Sequence, residues 1–141
     1  MNLDRALDRM PHKGAMRLIE RIVSADEAQI HCIGINHAVG NYPLRLDGRL
    51  FSVALVELGA QAAAAHASLF DIKGSHTGLL IALQNVEVLR HEVEKNSENL
   101  EIFANQLHFD ANGAIYGFRV SDEHGDLVKG RAILKMKGAA E

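Results

Sequence analysis

The segment that most constrains the fold is residues 52–70, SVALVELGAQAAAAHASLF. Because it is nearly all apolar, it is predicted to form a long helix that is buried on almost every side. Its many alanines would allow other backbones to approach closely, as a sheet wrapped around the helix requires. Glu57 is the only carboxylate in this segment. A carboxylate on a buried helix needs a reason, and we expect Glu57 to mark the functional site.

The stretches on either side of this helix alternate apolar and polar residues with the period of β-strands. Strands are predicted at residues 16–24, 26–35, 79–90, 99–109, 114–121 and 127–136. Asn112-Gly113 and the EHGD sequence at residues 123–126 are typical of hairpin turns, which make the last strands antiparallel. A short amphipathic helix is predicted at residues 2–10.

The simplest architecture for these elements is an α+β fold in a single domain spanning residues 1–141, with one curved antiparallel sheet around the central helix. One sheet on one helix leaves sheet edges and part of the helix bare. We therefore expect a homodimer or a higher oligomer.

Composition excludes several classes of protein. Apolar residues make up 48% of the chain and its net charge is −3, which indicates a globular protein and argues against nucleic-acid binding. Cys32 is the only cysteine, so no internal disulfide can form. The N-terminus does not resemble a secretory signal, and Glu57, Gln61 and His66 make the apolar segment a poor membrane span. We expect a cytoplasmic protein.

Glu57 and Gln61 are the first candidates for chemistry. Desolvation on an apolar helix is expected to raise the pKa of Glu57, which suits proton transfer near neutral pH. Gln61 lies one turn further on the same face, where it could bond to Glu57 or orient a substrate. The alternative is that Glu57 pairs with an arginine or reaches solvent at the start of the helix.

The long loop at residues 36–49 contributes His37 and Asn41, and long ordered loops are often functional. His37 is a natural general base, although an exposed loop histidine is the plainer interpretation. His66 is expected to be a hydrogen-bonded core histidine. The histidines show no metal-ligand spacing, and no nucleotide-binding signature is present, so neither a metal nor a cofactor is predicted.

The start of the helix is a second candidate feature. Ser52 is predicted to be its N-cap residue. Free amides around residues 50–53 could polarise a substrate carbonyl or hold a developing oxyanion. Arg45 and Arg49, which precede the helix, could attract a phosphate group.

Three stretches together resemble the hotdog-fold (3R)-hydroxyacyl acyl-carrier-protein dehydratases. Residues 10–22, MPHKGAMRLIERI, are similar to the P-H-x-x-x-M-x-L entry of the family. Residues 53–63, VALVELGAQAA, are similar to its central-helix motif V-E-x-x-A-Q-A-A. Residues 85–90, NVEVLR, are similar to the strand that follows that helix. The resemblance covers almost the whole chain in order.

This resemblance implies a helix wrapped by a sheet and a dimer with active sites at the subunit interface. There a helix glutamate and a loop histidine remove water from a 3-hydroxyacyl thioester of acyl carrier protein or coenzyme A, without a cofactor. The glutamate corresponds to Glu57. We expect Gln61, Ser52, Phe51 and Tyr42 to contact the substrate.

The chain departs from the family pattern in the loop. Where the family has G-H-F-P-G, residues 40–44 read GNYPL, so Asn41 replaces the histidine and His37 is the nearest histidine. This loop resembles a divergent branch associated with aryl polyene pathways, whose members can pair with a standard dehydratase. A hotdog thioesterase and a non-catalytic acyl-binding subunit of a heteromer remain the alternatives to a dehydratase.

Overall fold

The structure is a computed structural model that describes Leu7 and residues 16–70 and 76–138. The helix predicted at residues 2–10 lies outside the described residues except for Leu7, which is buried in the core. The described chain forms strands β1 (Ile19–Ala25), β2 (Gln29–Gly34), β3 (Leu50–Phe51), β4 (His76–Val88), β5 (Glu92–Val93), β6 (Glu101–Phe109), β7 (Gly113–Asp122) and β8 (Gly125–Gly138). A 3-10 helix (Ser52–Leu55) runs directly into the central helix α1 (Val56–Leu69).

Six of these strands form one sheet in the order β1-β2-β6-β7-β8-β4. Every neighbouring pair is antiparallel, as the sequence predicts. Both predicted hairpins are confirmed, because Gly113 and Gly125 begin the strands that follow the two turns. β3 and β5 form a separate two-stranded pair that the sequence analysis missed. Strands of two residues are too short to show an alternation.

The helix α1 lies against the inner face of the sheet. Alternate residues of the central strands, such as Ile102 and Ala104 in β6 and Ala132 and Leu134 in β8, are buried on this face. Residues 58–68 of the helix are all buried as well, which confirms the predicted central helix. The predicted α+β architecture, a curved antiparallel sheet around one helix, is therefore confirmed.

The start of the central helix differs from the prediction. Ser52 is the first residue of the 3-10 helix, Phe51 is the residue that precedes it, and no side chain caps this end. The backbone N–H of Ser52 donates instead to the carbonyl of His91, at 2.9 Å. The predicted N-cap role of Ser52 is therefore wrong, because strand pairing between β3 and β5 leads the chain into the helix.

His66 is the core histidine that the sequence predicts. Its Nε2 lies 2.8 Å from the carbonyl oxygen of Asp26, which can only accept, so Nε2 carries the hydrogen. Its Nδ1 accepts from the hydroxyl of Tyr116, at 2.6 Å. Burial lowers the pKa of His66, against the opposing effects of the hydrogen bond to Asp26 and of the charge of Asp26. The ring is thus held neutral in the core.

The described residues offer neither a membrane-spanning helix nor a metal site. No helix among them is long and apolar enough to cross a membrane. They contain no group of three histidine, cysteine, aspartate or glutamate side chains that could hold a metal ion. Cys32 is a free thiol in the core, and burial raises its pKa to about 12, so it is a poor nucleophile.

Candidate functional site

Glu57 lies at the N-terminal end of the central helix. It is the second residue of α1, in its first turn, and it is only half-buried, whereas residues 58–68 of the helix are buried. Val53, one turn earlier, is 54% exposed. The carboxylate therefore sits where the buried helix meets the surface of the described chain.

Gln61 holds the carboxylate of Glu57 in place. It is fully buried, and its Nε2 donates to Glu57 Oε1 at 3.1 Å, which confirms the predicted contact one helical turn away. The same nitrogen donates to the carbonyl of Met16 at 2.7 Å. Its Oε1 accepts from the backbone N–H of Leu18 at 2.9 Å. Gln61 thereby ties Glu57 to the segment that leads into β1.

The Gln61→Met substitution is expected to lower the free energy of unfolding by about 1–3 kcal/mol. Methionine keeps the length of the side chain but leaves the buried N–H of Leu18 without its acceptor. Urea denaturation of the purified variants measures this change. Gln84→Met, on the exposed part of β4, is the matched control and should stay within about 0.5 kcal/mol of the parent protein. Equal stability of the two variants would contradict the bridging role of Gln61.

His37 is buried and fixed in a second hydrogen-bonded cluster. Its Nε2 lies 3.2 Å from the carbonyl oxygens of both Ser97 and Glu98, and 3.0 Å from the hydroxyl oxygen of Ser97. Carbonyls only accept, so Nε2 carries the hydrogen and the basic nitrogen is Nδ1. Within the described part of the chain, Nδ1 is buried and makes no hydrogen bond. His37 thus ties the loop to the segment that precedes β6.

Asn41 and Tyr42, the other candidate site residues of the loop, differ in their exposure to solvent. Asn41 is exposed, whereas Tyr42 is buried and its ring lies edge-on to that of His37, with centroids 6.4 Å apart. Burial raises the pKa of Tyr42 to about 12, against a smaller lowering by the charge of Arg45. The Tyr42 hydroxyl is buried without a partner among the described residues. The structure thus brings the side chains of His37 and Tyr42 together on the buried side of the loop at residues 36–49.

The two candidates at the start of the helix lie in the β3–β5 region. Phe51 is half-buried, with its ring centroid 5.2 Å from that of His91 and 4.8 Å from the guanidinium carbon of Arg49. Ser52 is buried, and its hydroxyl has no partner in the described part of the chain. Its backbone amide, which was predicted to be free for an oxyanion, is already bonded to His91.

The two arginines before the helix make internal contacts. Arg45 donates to the carbonyl of His37 from Nε and Nη2, at 3.1 and 2.7 Å. Arg49 forms an ion pair with Glu92 across the β3–β5 pair, and this hydrogen bond lowers the pKa of Glu92. Both side chains therefore stabilise the loop and the short strands. No sequence pattern indicates these partners, which lie up to 43 residues apart.

Comparison with known proteins decides the family. The sequence profile of the ApeP-like family, described as ApeP dehydratase, matches residues 5–136. The chain belongs to the ApeP-like dehydratase family. The resemblance to a divergent, aryl-polyene-type branch of the hotdog dehydratases is thereby confirmed. No curated protein sequence matches the chain.

Several solved structures share the fold. The dehydratase heterocomplex ApeI:P from Xenorhabdus doucetiae is 23% identical with a TM-score of 0.80, covering 96% of this chain and 93% of that one. A thioesterase mutant from Pseudomonas aeruginosa is 15% identical with a TM-score of 0.74, covering 98% and 95%. A hypothetical thioesterase with coenzyme A from Streptococcus pneumoniae is 14% identical with a TM-score of 0.63, covering 84% and 85%. These likenesses establish the hotdog fold of the ApeP-like chain.

Proposed function

We propose that the protein is a dehydratase subunit that removes water from 3-hydroxyacyl thioesters of acyl carrier protein or coenzyme A. The observation that carries this proposal is the half-buried carboxylate of Glu57, held by Gln61 in the first turn of a buried helix. A carboxylate whose orientation is set by a buried amide is organised before the substrate binds. Membership of the ApeP-like dehydratase family supports the same chemistry.

In the proposed reaction, Glu57 acts at the 3-hydroxyl group. A base takes the proton from C2, the C2–C3 double bond forms, and the C3–O bond breaks. The protonated carboxyl of Glu57 gives its proton to the departing oxygen, which leaves as water. The products are a 2-enoyl thioester and one water molecule, and the proton held by the base returns to Glu57 to complete the cycle.

We propose that the base comes from a partner chain, because the buried His37 ring already donates to the backbone of Ser97 and Glu98. Asn41, at the position of the missing loop histidine, would orient the substrate from the exposed loop. The similar dehydratase from Xenorhabdus doucetiae is a heterocomplex, which supports a second subunit for this chain. In the proposal, that subunit carries the histidine.

A bare apolar strand supports the same arrangement. β4 is at the edge of the sheet, so its outer backbone groups are available to another chain. Its exposed apolar side chains are Leu80, Ile81, Leu83, Val86 and Val88. A second hotdog subunit would cover these side chains and supply the complementary half of the active site.

The test is a reconstitution with a standard dehydratase that carries the loop histidine. The substrate is a 3-hydroxyacyl thioester of acyl carrier protein, and both the enoyl thioester and free thiol are measured. We expect the mixture to form enoyl thioester faster than the standard dehydratase alone, with the two proteins co-eluting in size-exclusion chromatography.

Three outcomes would overturn parts of the proposal. Release of free thiol by this chain would identify a thioesterase. Dehydration by this chain alone would support the reaction but contradict the need for a partner histidine. If this chain is inactive by itself and does not change the rate of the standard dehydratase, the whole assignment is contradicted.

A further inference from the structure

The outer face of the sheet, opposite the central helix, carries a ladder of aromatic and cationic side chains. His31, Phe103, Arg119 and Lys129 are directly cross-strand neighbours on β2, β6, β7 and β8. The ring of His31 stacks on that of Phe103 at 4.3 Å, with an angle of 12° between the planes. The guanidinium of Arg119 lies over the Phe103 ring at 3.8 Å. Because the His31 ring and the Arg119 guanidinium cannot both occupy the same side of the Phe103 ring, the Phe103 ring lies between them.

In the next row of cross-strand neighbours on the same face, one side chain is missing. Asn105, Gly117 and Arg131 are cross-strand neighbours on β6, β7 and β8, and Gly117 contributes no side chain. A Cβ at this position would lie 2.9 Å from Oδ1 of Asn105, so the amide fills part of the space next to it. The gap forms the floor of a groove of about 580 Å³. That volume suits a small organic ligand, and it is far larger than an inorganic ion needs.

The charged side chains that line this groove are mostly cationic. Arg119, Lys129 and Arg131 line it together with a single carboxylate, Glu87. Glu87 lies 3.5 Å from Lys129, and Arg119 pairs with Asp126 at 3.3 Å outside the groove. Among the described residues, the side chain of Arg131 makes no hydrogen bond or ion pair, so its donors are available to an anion.

Arg119 also offers a flat surface. One side of its guanidinium packs on Phe103, while the side chain as a whole remains 47% exposed. An arginine held flat against an aromatic ring presents its other side to planar rings, which stack on it. Phe103 and Arg119 also line an adjoining hollow of about 320 Å³, so the groove extends on both sides of this platform. The amide of Asn85 adds a donor and an acceptor to the wall.

We propose that this outer groove binds a nucleotide, with the phosphates at Arg131 and Lys129 and the base stacked on Arg119. The concave floor at Gly117 and the planar platform favour a small planar anion over an acidic protein surface, which would need a broad contact area. This site lies on the face opposite Glu57 and does not depend on the proposed dehydratase chemistry.

The experiment is isothermal titration calorimetry of the full chain with adenosine diphosphate at about 0.15 M ionic strength, because charged contacts are screened by salt. Adenosine and inorganic pyrophosphate are titrated separately, to measure how much the base and the phosphates each contribute to binding. The variants are Arg131→Ala and Arg119→Ala. Arg21→Ala is the matched control, since Arg21 is an exposed arginine on β1 outside the groove.

We expect adenosine diphosphate to bind more tightly than either fragment. Each groove variant should weaken binding about tenfold, or ~1.4 kcal/mol, while Arg21→Ala leaves it unchanged. Circular dichroism of the variants should match the parent protein, because the substituted side chains are exposed. If pyrophosphate binds as tightly as adenosine diphosphate, the proposed stacking of the base on Arg119 is contradicted.

Three results would overturn the site itself. The first is no heat of binding with millimolar adenosine diphosphate, and the second is equal binding by all three variants. The third is Arg131-dependent binding of an acidic carrier protein without nucleotide binding, which would make the groove a protein docking surface.

Discussion

The Glu57→Gln substitution is expected to lower the rate of enoyl thioester formation by about a hundredfold to ten-thousandfold in the reconstituted dehydratase. Glutamine has the same shape, and its carbonyl oxygen can still accept from Gln61, whose Nε2 lies 3.1 Å from the carboxylate. It cannot, however, give a proton to the departing 3-hydroxyl. The geometry should survive while the proton transfer is lost.

The measurement is the initial rate with a 3-hydroxyacyl thioester, together with a urea denaturation curve of the variant. The matched control is Glu94→Gln, an exposed glutamate between β5 and β6, which should keep the parental rate. A Glu57→Gln protein that is folded, assembles with its partner and retains the parental rate would contradict the role of Glu57. In that case this chain would serve as an acyl-binding or scaffold subunit, with all of the chemistry in its partner.

The Gly59→Ala substitution is expected to lower the free energy of unfolding by about 1–3 kcal/mol, as overpacked cores do. In an ordinary helix this change would raise stability by up to about 1 kcal/mol. Here a Cβ on Gly59 would lie 2.2 Å from Cδ1 and 2.5 Å from Cγ of the Phe118 ring. Phe118 is itself buried, so the ring must move against the sheet to make room.

The movement of that ring is restricted on its far side. A Cβ on Gly130 would lie 3.2 Å from Cζ of Phe118, so the ring occupies a slot between glycines of the helix and of β8. Urea denaturation measures the effect. Gly40→Ala is the control, because nothing lies within 4 Å of a Cβ at that exposed loop position. Phe118→Leu should make the Gly59→Ala change less costly in a double-mutant cycle. A Gly59→Ala protein more stable than the parent would contradict this packing.

The architecture could be derived from local patterns in the sequence. The alternation of Ile102 and Ala104 with Glu101, Phe103 and Asn105 predicts the inner face of β6. The same period of two in β8 predicts its buried residues. The apolar segment around Gln61 predicts the central helix. These patterns succeed because side-chain direction repeats every two residues in a strand, and because a helix that is apolar all round must be covered. The pair β3–β5 escaped prediction because two residues show no period.

The candidate site was only partly predictable. A carboxylate on an apolar helix identified Glu57, and helical geometry identified Gln61 as its neighbour. The other partners of Gln61, at Met16 and Leu18, lie more than 40 residues away in sequence. The loop pattern drew attention to His37 as a base, but its partners at Ser97 and Glu98 are set by how the loop packs on a distant segment.

By itself, the sequence determined the α+β architecture, the central helix and the identity of its one carboxylate, since each depends on residue types at short, regular spacings. Only the tertiary structure decided that Gln61 is bonded to Met16 and Leu18, that His37 is bound to backbone carbonyls, and that Arg119 and Arg131 line one groove on the outer face. Such contacts join strands and loops that are distant in the chain. Their positions follow from strand register and backbone packing, which no local pattern of residues specifies.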